Sequence, residues 1–239
     1  MANSSLPRPV LESYPPAGGA LHTTVVVVVI AAWAYVFKIL TDRLAASSHP
    51  DRLRFYIVSL LLEWLMLGLV VIGVKHRGAS MNIVFGDRWR SARAVFRDTG
   101  IALGFWVVSI FILAGVSRLL RIHSSPAEVA AMMPHGPAEI AAWLALSISA
   151  GICEEAIFRG YLQRQFIVFT RSAPAGIALS AVAFGAGHAY QGLRMVVLIA
   201  VFGALFGVLV HWRKSTRPGM IAHSWQDALS GIVAGLAKH

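Results

Sequence analysis

Three short pieces of the sequence place acidic, basic and imidazole side chains inside apolar stretches. The first contains Glu154, Glu155 and Arg159. On a helix, Glu155 and Arg159 share a face because they are four residues apart, and the acid precedes the cation in the favoured order. Glu154 is turned by about 100° from Glu155, so the arginine cannot serve both carboxylates equally well. One carboxylate is therefore left free for chemistry.

The other two pieces each supply one imidazole. Phe184 and His188 are four residues apart, as are His223 and Asp227, so each pair lies along one side of its helix. Asp227 is placed to hold the His223 ring in one tautomer. Charged groups are costly inside a bilayer and usually mark a functional site there. Together the three pieces predict a catalytic site built from several helices.

The composition indicates a polytopic membrane protein. The chain has 239 residues, of which 57% are apolar and 13% charged, which is too apolar for a soluble domain of this length. Its formal charge of +10 does not predict nucleic-acid binding, because the basic residues lie between apolar runs. Anionic lipids are the expected partner. The single cysteine, Cys153, excludes an intrachain disulfide and a thiolate zinc cluster.

Seven stretches match the length of about 20 mostly apolar residues that a membrane-crossing helix needs. They are residues 21–40, 55–74, 100–120, 138–153, 173–188, 193–210 and 219–236. The expected fold is therefore an all-α transmembrane bundle of about seven spans, with a polar catalytic cavity among the C-terminal helices. Glu63 is the lone acid of the second span, and we expect it to meet a partner or to line the cavity.

The chain divides into three regions. Residues 1–20 hold four prolines and are predicted to form a disordered tail without the features of a cleaved signal peptide. Residues 21–137 contain N-terminal helices and a basic loop, and residues 138–239 the catalytic helical core. The connection 75–98 is the most basic one, which predicts that it and the N-terminus are cytoplasmic. A bacterial cytoplasmic membrane is the expected location.

Small residues four positions apart predict close helix packing in lipid. The pairs are Gly100 with Gly104, Gly203 with Gly207, and Gly231 with Gly235. Packing explains these glycines better than any catalytic role.

Spacing tests whether the polar pieces can meet. If residues 171–174 form a turn, Glu154 and His188 each lie 17 residues from Arg171, about 25 Å away on antiparallel helices. The helix that carries Glu154 must then continue well past residue 153. His223 fits less easily, because a last helix that begins near residue 219 places it toward the opposite membrane face. A tilted or re-entrant start, or a site near mid-membrane, is required.

The three motifs together resemble a known family. Glu-Glu-x-x-x-Arg, Phe-x-x-x-His and His-x-x-x-Asp occur in this order at 154–159, 184–188 and 223–227. They are similar to those of the CAAX prenyl protease and bacteriocin-processing (CPBP or Abi-type) intramembrane glutamic endopeptidases. The resemblance covers the chain from about residue 138 to the C-terminus.

The resemblance implies peptide-bond hydrolysis within the membrane and a role for each motif. Glu154 and His188 would activate a water molecule, and Arg159 would fix the Glu155 carboxylate. His223 and the residue at 227 would stabilise the oxyanion. Many members carry asparagine where this chain has Asp227, and an ionised aspartate has no proton to donate. Asp227 must therefore be protonated for that role, or else it orients His223.

The resemblance implies no cofactor and a peptide or protein substrate in the membrane. A prenylated CAAX tail, a leader peptide and a bacteriocin precursor are equally compatible with the sequence, and the oligomeric state is open. A first alternative is a zinc metalloprotease with Glu154, Glu155, His188 and His223 as ligands. A second is a non-catalytic scaffold or regulator whose polar cluster locks helices together. A third is a transporter or channel with Glu63, Glu154 and Glu155 as a proton relay, although no inverted repeat is evident.

Overall fold

The computed structural model describes residues 14–122 and 127–236, and in these ranges the protein is helical without strands. The helices are α1 (Ala20–Ala46), α2 (Arg52–His76), α3 (Asn82–Phe85), α4 (Ala92–Leu119), α5 (Ala127–Met132), α6 (Gly136–Thr170), α7 (Ala173–Gly187), α8 (Leu193–Arg213) and α9 (Arg217–Leu236). The predicted all-α membrane bundle is confirmed.

Each of the seven predicted spans coincides with one of the long helices, but not all of them have the properties of a span. Helices α1, α2, α4, α6 and α8 are long and apolar enough to cross a membrane. Helix α7 has only 15 residues. Helix α9 falls outside this group; it carries Arg217, His223 and Asp227. By length and composition, the predicted seven spans are therefore reduced to five within the described ranges.

The long helices alternate in direction, so that their connections gather at two ends of the bundle. At one end, the backbone N–H of Ala17 donates to the Gln165 side chain at 2.8 Å, and Arg213 pairs with Asp98 at 2.7 Å. These contacts bring the N-terminal segment, the basic connection and the α6–α7 and α8–α9 connections to one side. The topology matches the predicted alternation, and the cytoplasmic location of this end stays a prediction.

Residues 14–19 pack against the helices. Ala17 is fully buried, the Gly18 carbonyl accepts from the Gln165 amide at 2.9 Å, and the Tyr14 ring stacks on His211. The predicted disordered tail is therefore wrong for this part of residues 1–20, because these contacts offset the entropy lost on ordering. Residues 1–13, 123–126 and 237–239 lie outside the described residues.

The outer faces of several long helices are covered by large apolar side chains. Val28, Leu65, Phe111 and Val208 are all more than half exposed, and they lie on α1, α2, α4 and α8. Exposed apolar surface on this scale is unfavourable in water and marks contact with lipid or with a partner. The same arrangement is expected of helices whose outer faces meet hydrocarbon.

Helix α6 contains a π-helical stretch at its centre, Glu155–Leu162, and all eight of its residues are buried. Such stretches have i→i+5 hydrogen bonds and are frequent at functional sites. The helix continues to Thr170 and ends at Arg171, whose φ of 59° is left-handed. Ser172 then caps α7 by accepting the Ala175 N–H. The predicted turn and the continuation past residue 153 are both confirmed.

Close helix packing depends on only some of the predicted glycines. A Cβ at Gly203 would lie 3.1 Å from the Phe184 ring, and one at Gly207 would lie 2.7 Å from Gln163 Oε1. At Gly100 and Gly104 a Cβ would meet nothing within 4 Å. The packing prediction is therefore wrong for that pair, because no described atom lies close to either position and Gly104 lines an open groove between α4 and α8.

The contact of α6 with α9 gives a test of this packing. A Cβ at Gly151 would lie 2.8 Å from both the Met220 carbonyl oxygen and the Ser224 backbone nitrogen, so Gly151→Ala must push the helices apart. We expect a loss of about 1–3 kcal/mol in the free energy of unfolding. Gly104→Ala is the matched control and should be neutral or stabilising. Thermal unfolding in detergent measures both, and equal melting temperatures would contradict the packing argument.

Candidate active site

The π-helical stretch holds a buried ion pair. Arg159 Nη1 lies 2.8 Å from Glu155 Oε1, and the two side chains are 1% and 0% exposed. The contact is an ion pair rather than a well-aligned hydrogen bond. The guanidinium carbon lies 4.1 Å from the centroid of the Phe184 ring and 5.1 Å from that of Phe206, so aromatic faces add a cation–π contact. The predicted Glu155–Arg159 pairing is present.

His223 connects this pair to the other two carboxylates. Its Nδ1 lies 3.1 Å from Glu155 Oε1, while its Nε2 lies 3.7 Å from Glu154 Oε2 and 3.6 Å from Asp227 Oδ2. Only the first distance is that of a hydrogen bond. The carboxylate that orients His223 is therefore Glu155, and not Asp227 as the four-residue spacing suggested. This orientation turns Nε2 toward the gap between Glu154 and Asp227.

His188 lies at the C-terminal end of α7, where the regular helix stops. Its Nδ1 is 2.9 Å from the Phe184 carbonyl oxygen, so a proton on Nδ1 makes this hydrogen bond. The other nitrogen, Nε2, is then the one that can accept a proton. The tie to Phe184 fixes both the tautomer and the direction of the ring.

A cavity of about 150 Å³ brings the remaining groups together. Glu154, His188 and Asp227 line it, and Glu63 from α2 joins them. The Glu154 and Asp227 side chains are 22% and 34% exposed, whereas Glu155 is fully buried. The rest of the wall is mostly apolar, and its large side chains are Ile30, Trp33, Phe37, Phe55, Met66, Met132, Trp143, Leu146, Ile157, Phe158 and Tyr190. Of the two adjacent glutamates, Glu154 is thus the one that faces free space.

The depth of His223 is compatible with the rest of the site. Its ring lies 6.0 Å from the Phe184 ring, and Phe184 precedes His188 by one helical turn. Asp227 follows His223 by one turn and reaches the cavity that His188 also lines. The two imidazoles therefore approach the same site from α7 and α9, and its depth in the membrane stays a prediction.

Some residues of the cavity, or in contact with it, were missed or left unassigned by the motifs. Ser149 donates to Glu63 Oε2 at 2.7 Å, and Trp33 and Tyr190 form part of the wall. A lone acid in an apolar span is a signal for Glu63. Nothing in the sequence distinguishes the other three from ordinary helix residues. Helices α1 and α2, which carry no motif, thus supply one side of the site.

Three of the four side chains of the zinc alternative, Glu155, His188 and His223, are engaged with protein groups. Nδ1 of His223 and of His188 face Glu155 and the Phe184 carbonyl respectively. Within residues 14–122 and 127–236, no three His, Cys, Asp or Glu side chains are grouped so that they could hold a metal ion. A reaction without a metal stays a prediction, and chelation tests it.

The structure brings all six residues that the motifs predicted close together in space. Five of them, Glu154, Glu155, Arg159, His223 and Asp227, are connected by distances of 3.7 Å or less, and His188 lines the same cavity as Glu154 and Asp227. No significant match was found among curated proteins or among solved structures. Residues 136–229 match the family described as Type II CAAX prenyl endopeptidase Rce1-like. The matched part of the chain contains all six residues and is similar to this family, as the three ordered motifs predicted.

Proposed function

We propose that this protein is a multi-pass intramembrane endopeptidase that hydrolyses peptide bonds with a water molecule activated by Glu154 and His188. The observation that carries the proposal is the difference between two adjacent glutamates. Glu155 is buried against Arg159, while Glu154 shares a cavity with His188 and Asp227. A carboxylate and an imidazole on one cavity are the groups that general acid–base catalysis requires.

The reaction begins with the attack of the water oxygen on the scissile carbonyl carbon. Glu154 accepts the proton that the water loses, and the tetrahedral intermediate carries a negative oxygen. The carbon–nitrogen bond then breaks, and the proton passes from Glu154 to the leaving amine. His188 orients the water through Nε2, because its Nδ1–H is held by the Phe184 carbonyl. The products are a new carboxyl group and a new amine.

His223 is the proposed donor to the oxyanion. Glu155 accepts from Nδ1, so a second proton on Nε2 would point into the gap between Glu154 and Asp227. Donors preorganised toward a developing charge are worth several kcal/mol in a site that excludes water. Asp227 contributes a donor only when protonated; in its ionised form it stabilises the charged His223 ring instead.

The proposed substrate is a peptide or protein segment in the membrane. Apolar and aromatic side chains surround the polar groups of the cavity, which favours a substrate with apolar groups next to the scissile bond. A prenylated CAAX-like tail, a leader peptide and a bacteriocin precursor all have this property. The proposed location is the bacterial cytoplasmic membrane.

A non-catalytic scaffold is the second candidate function. The fully buried Glu155–Arg159 pair, with His223 attached, connects α6 to α9, and such a connection could serve assembly alone. The two functions differ in what they require of Glu154, which contributes little to this connection because it lies 3.7 Å from His223.

Glu154→Gln distinguishes the two functions. The amide keeps the size of the side chain but cannot accept a proton, so we expect peptide cleavage to fall by about 10²–10⁴-fold with an unchanged melting temperature. Glu128→Gln on α5 is the matched control, since Glu128 does not line the cavity. Purified protein and a peptide panel provide the measurement. Wild-type cleavage by Glu154→Gln would refute the proposed mechanism.

Variants of the Glu155–Arg159 pair should affect the free energy of unfolding and the rate of cleavage differently. Arg159→Gln leaves the buried Glu155 carboxylate without its cation, and we expect a loss of about 3–5 kcal/mol in the free energy of unfolding. Adding Glu155→Gln should recover most of that stability, because no unpaired charge remains. Cleavage should stay low in the double variant, since His223 loses its charged partner. Recovery of both properties would mean that the pair has only a structural function.

Chelation tests the zinc alternative. Cleavage by glutamate-activated water should be unchanged after prolonged treatment with EDTA or 1,10-phenanthroline, because no step of it uses a metal. The measurement is the cleavage rate before and after chelator, with a known zinc protease as the positive control. Loss of cleavage that added zinc restores would support the metalloprotease.

A further inference from the structure

Arg159 lines a second polar cavity, which is separate from the cavity that Glu154 lines. It is small, about 20 Å³, which is room for roughly one particle the size of a water molecule. Three cations line it: Arg159, Arg164 from the same helix, and Lys214 from the α8–α9 connection. No carboxylate is among the described residues around it.

Two of these cations, Arg159 and Arg164, have buried nitrogen atoms without a hydrogen-bond partner among the described residues. Arg159 is 2% exposed, yet its Nη2 has no hydrogen-bond partner among the described residues. Arg164 Nε is also buried without a partner in this part of the chain, and its Nη2 reaches only the Ile83 carbonyl at a long 3.4 Å. Arg164 forms no ion pair with any described acid.

The neighbouring groups close the cavity without neutralising it. Lys214 Nζ donates to the Tyr14 hydroxyl at 2.8 Å, and the Arg164 guanidinium lies 5.3 Å from the centre of the Tyr14 ring. Thr216 directs its hydroxyl to the Val84 carbonyl at 3.1 Å. Like charges gathered in a poorly hydrated space repel one another strongly, so this arrangement needs a compensating negative charge.

We propose that this cavity is a binding site for one small inorganic anion of about the size of chloride. The cavity volume excludes larger oxyanions, and the surplus of donors favours an occupant that only accepts hydrogen bonds over a water molecule, which must also donate. The anion contacts Arg159 and Arg164 and offsets their repulsion. Arg159 is thus held between two negative charges, Glu155 and the anion. This site does not depend on the proposed proteolytic activity.

Halide titration tests the site. The full chain is purified in detergent in sodium gluconate, and gluconate is replaced by chloride or bromide at constant ionic strength. We expect a saturable rise in melting temperature of roughly 3–6 °C. Arg164→Gln should abolish this rise, whereas Arg88→Gln, at an exposed position in the basic connection, should keep it. Sodium phosphate should have no such effect, because the ion is too large.

A second measurement uses the wild-type protein, so that it does not depend on whether a variant folds. Crystals of the wild-type protein grown in bromide should show an anomalous peak in contact with the Arg164 guanidinium. Absence of that peak would overturn the proposal, as would a melting temperature independent of halide or a halide effect that Arg164→Gln leaves unchanged. Equal stabilisation by phosphate would refute a chloride-sized site and would indicate a phosphate or a lipid headgroup.

Discussion

A carboxylate and a guanidinium, Glu155 and Arg159, lie 2.8 Å apart where neither side chain reaches solvent, and the geometry of the site depends on this pair. Removing such charges from water costs several kcal/mol per ion, which only close pairing and further contacts offset. The Phe184 ring and the His223 imidazole provide those contacts. Because Glu155 also accepts from His223, the pair sets the direction in which the imidazole presents its second nitrogen.

The local shape of α6 gives two neighbouring glutamates different environments. Glu154 is the last residue before the π-helical stretch and Glu155 is its first. One side chain is 22% exposed and lines the cavity, while the other is fully buried beside Arg159. In the proposed mechanism, two chemically identical carboxylates therefore divide the structural and the reactive tasks. The division results from their neighbours and not from the residue type.

Local rules predicted the positions of the long helices, the pairing of Glu155 with Arg159 and the extension of α6, because each depends on residues close together in sequence. The π-helical stretch has no comparable local signature. The packing of Ala17 on Gln165 joins residues 148 apart, which explains why the order of residues 14–19 was missed. The cavity wall from α1 and α2 was also unpredictable. The sequence does not distinguish an apolar residue that faces lipid from one, such as Trp33, that faces a cavity.

The two imidazoles of the site differ from its guanidinium in how they handle protons. Glu63, Glu154 and Asp227 line the cavity, and Glu155 lies directly behind it. Among the described residues, four carboxyl groups thus lie close to one guanidinium, that of Arg159, in surroundings of low polarity where charges interact strongly. His188 and His223 each have Nδ1 held by a protein acceptor, which leaves Nε2 directed toward the site. A neutral imidazole can accept a proton, which a guanidinium cannot. A site with movable protons rather than fixed cations is suited to hydrolysis, in which one proton leaves the water and another must reach the amine.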